Sequence, residues 1–122
     1  MATEGQGGKT ILIVEDDAGT REALSMILTA QGFAVVGAAN GQEALGLLRG
    51  DVRPDLILLD LMMPIMDGWQ FRREQKQDPE IADIPLVVIT ATGKRQVLID
   101  AADLVMKPLD LNRLFETIER YC

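Results

Sequence analysis

Five short apolar runs divide the chain: Ile11 to Val14, Phe33 to Ala38, Leu56 to Leu59, Leu86 to Ile89 and Leu104 to Met106. Most are continuous rather than alternating, which is how strands read when both faces are covered, the habit of parallel sheets. The stretches between them carry helical period. Ala23, Leu24, Ile27 and Leu28 share one helical face, and Asn40 can cap a helix presenting Ala44, Leu45, Leu47 and Leu48. A third helix is expected from about Gly68 to Gln77, and a last one behind the N-cap Asp110, where Leu111, Leu114, Phe115, Ile118 and Cys122 follow at helical spacing. Strands alternating with helices imply an α/β sandwich of about three layers. The interval from Thr90 to Lys107 is near the minimum for a parallel crossover, so the helix in it, within about residues 94–100, is expected to be shortened.

With 122 residues, 48% of them hydrophobic, the chain can bury one core and is too short for two domains. Residues 1–9 are polar and glycine-rich and are expected to form a flexible tail, leaving 10–122 as the folded domain. A net charge of -7 opposes direct nucleic-acid binding, which depends on Lys and Arg neutralising phosphates. Arg72, Arg73 and Lys76 are the densest basic group and read as a solvated helix face. No apolar run has the length of a membrane span or a signal-peptide core, and Cys122 is the only cysteine, so a reducing cytoplasmic setting is expected. There is no histidine, which removes Ser-His and Cys-His nucleophile systems and means that any phosphohistidine must come from a partner.

The chemistry gathers at strand ends. Ile11 to Val14 delivers Glu15, Asp16 and Asp17 to its C-terminal end, and Leu56 to Leu59 delivers Asp60 to the same edge. In open α/β sheets, that edge is where ligands bind. On adjacent strands about 5 Å apart, each pair of ionised carboxylates costs roughly 3 kcal/mol at an effective dielectric of about 20. Positive charge must therefore join Glu15, Asp16 and Asp60. Lys107 at the end of the fifth run offsets part of it, and an all-oxygen ligand set with no His or Cys points to a hard divalent cation, Mg²⁺. A carboxylate beside that cation, with the ammonium of Lys107 and the hydroxyl of Thr90 at neighbouring strand ends, is equipment for phosphoryl transfer onto Asp60. Taken singly each residue has an ordinary role: Glu15 and Asp16 can cap a helix, Lys107 can pair with a surface acid, and Asp60 can be a loop residue. Asp17 reads as a helix N-terminal acid.

Taken together, Val14-Glu15-Asp16-Asp17, Asp60 with Pro64 and Asp67-Gly68, Thr90-Ala91 and Lys107-Pro108 resemble the receiver domain of bacterial two-component response regulators, over almost all of Thr10 to Cys122. The resemblance implies a flavodoxin-like, doubly wound, five-stranded parallel sheet in the order 2-1-3-4-5. It implies that Asp60 accepts a phosphoryl group from a sensor histidine kinase or phosphotransfer protein. Mg²⁺ would be held by Asp16 and Asp60, by the backbone carbonyl of Met62, and by Glu15 through water. Thr90 and Lys107 would hold phosphoryl oxygens. The chain would not be an enzyme in its own right but a phosphoacceptor that assists its own phosphorylation and dephosphorylation, signalling through altered contacts with a downstream protein. The alternative is a receiver fragment of a larger hybrid kinase or multidomain regulator.

Two departures from the family carry expectations. Leu104 stands where receivers usually place Tyr or Phe, so an atypical signalling surface is expected around residues 91–106. Met62 and Thr92, two residues after Asp60 and Thr90, are neither acids nor bases, and slow self-hydrolysis of the phosphoryl group is expected.

Overall fold

The computed structural model describes residues 9–60, 66–90, 101–106 and 110–122. Strands β1 (Thr10–Val14), β2 (Ala34–Ala38), β3 (Leu56–Asp60) and β4 (Leu86–Thr90) lie parallel in the order β2-β1-β3-β4. A short β5 (Asp103–Met106) runs parallel to β4, pairing Val87 with Asp103 and Thr90 with Met106. The described helices are α1 (Ala18–Ala30), α2 (Gly41–Arg49), α3 (Gly68–Lys76) and α4 (Leu111–Tyr121). The order expected for a flavodoxin-like sheet thus holds across β2-β1-β3-β4. The expected short helix within residues 94–100 lies outside the described residues.

The two-residue side-chain period of each strand divides one sheet between two cores. Leu12, Val14, Ile57, Leu59, Leu86 and Val88 face α2 and α3, where they meet Leu45, Leu48 and Phe71. Ile11, Ile13, Leu56, Leu58, Val87 and Ile89 face the other way, toward Leu24 and Leu28 of α1 and Leu114 and Ile118 of α4. This is why the runs are continuous: from Ile11 to Val14 and from Leu56 to Leu59 neither face is free for a polar residue. The edge strand β2 differs, with Ala34 and Gly37 exposed and Val35 and Val36 half-buried.

Four helix starts are built alike. Asp17, Asn40, Asp67 and Asp110 are N-caps whose side chains accept from the amides of Thr20, Glu43, Gln70, and both Asn112 and Arg113. Glu43 also accepts at 2.9 Å from the amide of Ala39, the residue just before the cap. The helical stripes hold at their centres and fail at their margins. Leu24 and Leu28 are buried while Ala23 is exposed, and Leu111, the first apolar residue of the last stripe, is 41% exposed while Thr117 is buried instead. Residues at the edge of a helical stripe are covered on one side only, so period alone does not bury them.

Candidate functional site

The register of β1 and β3 pairs Val14 with Leu59. One step further along both strands come Glu15 and Asp60, on the sheet face shared with α1 and α4. Asp16 follows where the chain leaves the sheet. The result is a cluster in which Glu15, Asp16 and Asp60 each offer a carboxylate oxygen, all within 4.8 Å of one another. Glu15 and Asp60 are 4% and 7% exposed, so water screens them poorly, whereas Asp16 is open to solvent.

Local sequence explains the convergence. The Glu15 amide donates to the Ala38 carbonyl at 3.0 Å, extending the β1–β2 pairing one residue past β1. The Asp17 amide donates to Glu15 Oε2 at 3.2 Å, holding that carboxylate at the rim. Asp17 itself turns away to cap α1, accepting from the Thr20 amide at 2.8 Å and the Thr20 hydroxyl at 2.7 Å. It therefore plays the helix-start part expected of it and stays out of the cluster. On the β3 side, Asp60 ends a fully buried strand.

Of the residues expected in the site, the structure brings Glu15, Asp16 and Asp60 together. β4 carries the backbone of Thr90 to the C-terminal rim, one residue beyond the Ile89 that pairs with Asp60. The side chains of Thr90 and Leu104, and the residues Met62, Thr92 and Lys107, lie outside the described residues. One contributor was not anticipated. Arg21, in the first turn of α1, donates through Nη1 to the Glu15 backbone carbonyl at 2.7 Å. A signal for it existed, since a cation at the positive end of a helix is unfavourable unless something local holds it.

Three hard oxygen donors at this spacing suit a divalent cation that prefers carboxylates and keeps some of its water. The buried pair of Glu15 and Asp60 would otherwise cost roughly 3 kcal/mol at an effective dielectric of about 20, while the exposed Asp16 adds less because water screens it.

The comparisons with known proteins agree with this geometry. The family model of the response regulator receiver domain matches residues 11–119. The phosphate regulon transcriptional regulatory protein PhoB of Pseudomonas aeruginosa is 38% identical over 112 residues, which are 88% of this chain and 48% of PhoB. The chain therefore spans about half the length, or less, of the curated relatives first matched. Among solved structures, the receiver domain of a signal transduction histidine kinase from Syntrophus aciditrophicus superposes with a TM-score of 0.86 at 34% identity, over 93% of this chain and 89% of that one. The receiver domain of sensor histidine kinase PA1611 from P. aeruginosa PAO1, which holds a magnesium ion in its active-site cleft, gives 0.86 at 27% identity, over 94% and 98%. The chain belongs to the response regulator receiver family of two-component signalling. Among the described residues, no helix is long and apolar enough to cross a membrane.

Proposed function

We propose that Asp60 accepts a phosphoryl group from the phosphohistidine of a sensor kinase or phosphotransfer protein. The convergence of Glu15, Asp16 and Asp60 at one sheet edge carries this reading. An Asp60 carboxylate oxygen attacks phosphorus, the P–N bond to the donor imidazole breaks with its electron pair returning to nitrogen, and an acyl phosphate remains on Asp60. Mg²⁺ would be held by Glu15, Asp16, Asp60 and the Met62 carbonyl, and when bound it neutralises charge gathering on the phosphoryl oxygens. Asp60 supplies the nucleophile, Glu15 and Asp16 hold its surroundings, and Thr90 and Lys107 orient the phosphoryl oxygens.

In this reading Asp103–Met106 is the fifth strand of a sheet ordered 2-1-3-4-5, with Lys107 next along the chain. The chain acts as a cytoplasmic phosphoacceptor rather than as an enzyme on a separate substrate. It signals by changing its affinity for a protein partner, because the modified rim favours one of two surface conformations. Nucleic acid is not its direct ligand, given the net charge of -7. The chain's share of PhoB, 48%, favours a second reading in which these residues are the receiver segment of a larger regulator or hybrid kinase, with the same chemistry.

The test is incubation with a small acyl-phosphate donor and MgCl₂, read by intact mass. Wild type should gain one phosphoryl group and Asp60→Asn none. Equal modification of both proteins, or of neither, defeats the assignment.

A further inference from the structure

The arginine stem of α1 packs over the glycine of β2 closely enough to crowd a side chain there. A Cβ on Gly37 would lie 3.2 Å from Arg21 Cδ and 3.4 Å from Cγ. Glycine inside a strand is otherwise less favourable than alanine and often marks the close approach of another group. Here that group is the arginine stem. It crosses the edge strand over Gly37 and brings the guanidinium to the Glu15 carbonyl.

The direction of that carbonyl matters. The N–H and C=O of one strand residue point to the same flank, and the Glu15 N–H is engaged by Ala38 of β2. The Glu15 carbonyl therefore also faces the β2 flank, opposite the β3 flank from which Asp60 arrives. Arg21 thus grips the Glu15–Asp16 peptide unit from behind, leaving the front to the carboxylates. With the Asp17 amide on Glu15 Oε2, both the backbone and the side chain of Glu15 are held.

We propose that Arg21 is a positioning residue for the acidic cluster: it fixes the peptide plane from which Glu15 and Asp16 project, and Gly37 is glycine so that the arginine stem can reach that plane. The proposal rests on the reading of the cluster as a Mg²⁺ site. Arg21 touches neither the cation nor the phosphoryl group.

The experiment is a double-mutant cycle in the full chain, comparing wild type, Gly37→Ala, Arg21→Ala and the double variant. Mn²⁺ binding is followed by electron paramagnetic resonance, with Mg²⁺ as competitor. Gly37→Ala keeps every charge, so its effect is geometric, whereas removing the guanidinium also removes a repulsion on the cation. Gly37→Ala should weaken both ions by about three- to tenfold, at or below the range usual for groups that orient metal ligands. In the Arg21→Ala background the same change should shift affinity by less than about twofold, because no stem remains to be displaced. Thermal unfolding without metal gives a second readout: the added methyl should raise Tm in the Arg21→Ala background and not in wild type. Unchanged affinity in Gly37→Ala, or an equal loss in both backgrounds, overturns the proposal alone. Wild-type protein that takes up neither ion overturns the metal reading and this proposal with it.

Discussion

Asp55 and Asp60 bracket the two ends of one buried strand, so they differ in position along β3 rather than in residue type. At the entrance, the Asp55 amide donates to the Thr10 carbonyl at 2.7 Å, and Asp55 Oδ2 accepts from the Thr10 amide at 2.8 Å. That reciprocal pair aligns the start of β3 with the start of β1. At the exit, Asp60 shares a small volume with Glu15 and Asp16. One rim uses its carboxylate to satisfy backbone, while the other gathers carboxylates together. A sheet edge that collects like charge is a poor way to gain stability, and that is the physical mark of a rim kept for chemistry.

The largest effect is expected at the exit. Asp60→Asn should lower phosphoryl uptake from an acyl-phosphate donor by at least about 10³-fold, because an amide cannot serve as the nucleophile. It should also leave the folded state stable, because the amide keeps the shape of the carboxylate and eases the crowding with Glu15 and Asp16. Denaturant titration in metal-free buffer checks the second point, and a clear destabilisation would mean that Asp60 is a structural acid like Asp55.

Mg²⁺ should act on one rim only. At a hundred times its dissociation constant it should stabilise wild type by about 2.7 kcal/mol, by mass action on the folded state. Asp60→Asn and Asp16→Asn should show a much smaller shift, while a substitution at Asp55 should leave the shift intact. A metal-dependent rise in Tm that survives Asp60→Asn would place the cation elsewhere.

The sheet and the acids were legible in the sequence for one shared reason. Residues buried on both faces must be apolar, so β1 and β3 read as unbroken runs, and any carboxylate ending such a run stands out. The features that stayed hidden depend on contacts between distant elements. Arg21 and Gly37 acquire their relation only once α1 lies beside β2. Gln75 looks like one more polar residue of a charged helix, yet it is fully buried, donating through Nε2 to the carbonyls of Ile81 at 2.8 Å and Ile84 at 3.2 Å. It also accepts from Arg72 Nη1 at 2.6 Å. Periodicity marks which face of a helix is buried, not which polar side chain the next loop will need.

Gln75 supports the sheet rather than the site, because Ile84 immediately precedes Pro85, whose carbonyl receives the Ile57 amide near the start of β3. Gln75→Leu keeps the volume but removes the donor to two carbonyls, and it should cost about 2–3 kcal/mol. Phosphoryl uptake by the folded fraction should be unchanged. Asp55→Ala, which strips one acceptor from the half-buried Thr10 amide, should cost less, about 1–2 kcal/mol, again with uptake preserved.

The smallest expected effect lies at the entrance rim and tests whether Asp55 acts there as a charge as well as an acceptor. Burial holds the Cys122 thiol above its ordinary range, the nearby Asp55 carboxylate adds to the rise, and Lys9 partly opposes it. In the folded protein the neutral thiol is thus favoured. Its contribution to stability is fully present below the unfolded thiol pKa and is lost as pH rises through the folded value. Asp55→Asn removes the anion but not the burial, so the thiol pKa should fall while remaining above that of an exposed cysteine. Iodoacetamide reaction rates followed against pH on both proteins measure this directly. Asp60→Asn, at the far end of the same strand, should leave the curve in place, and a shift of equal size from either substitution would mean that the two rims are not electrostatically separate.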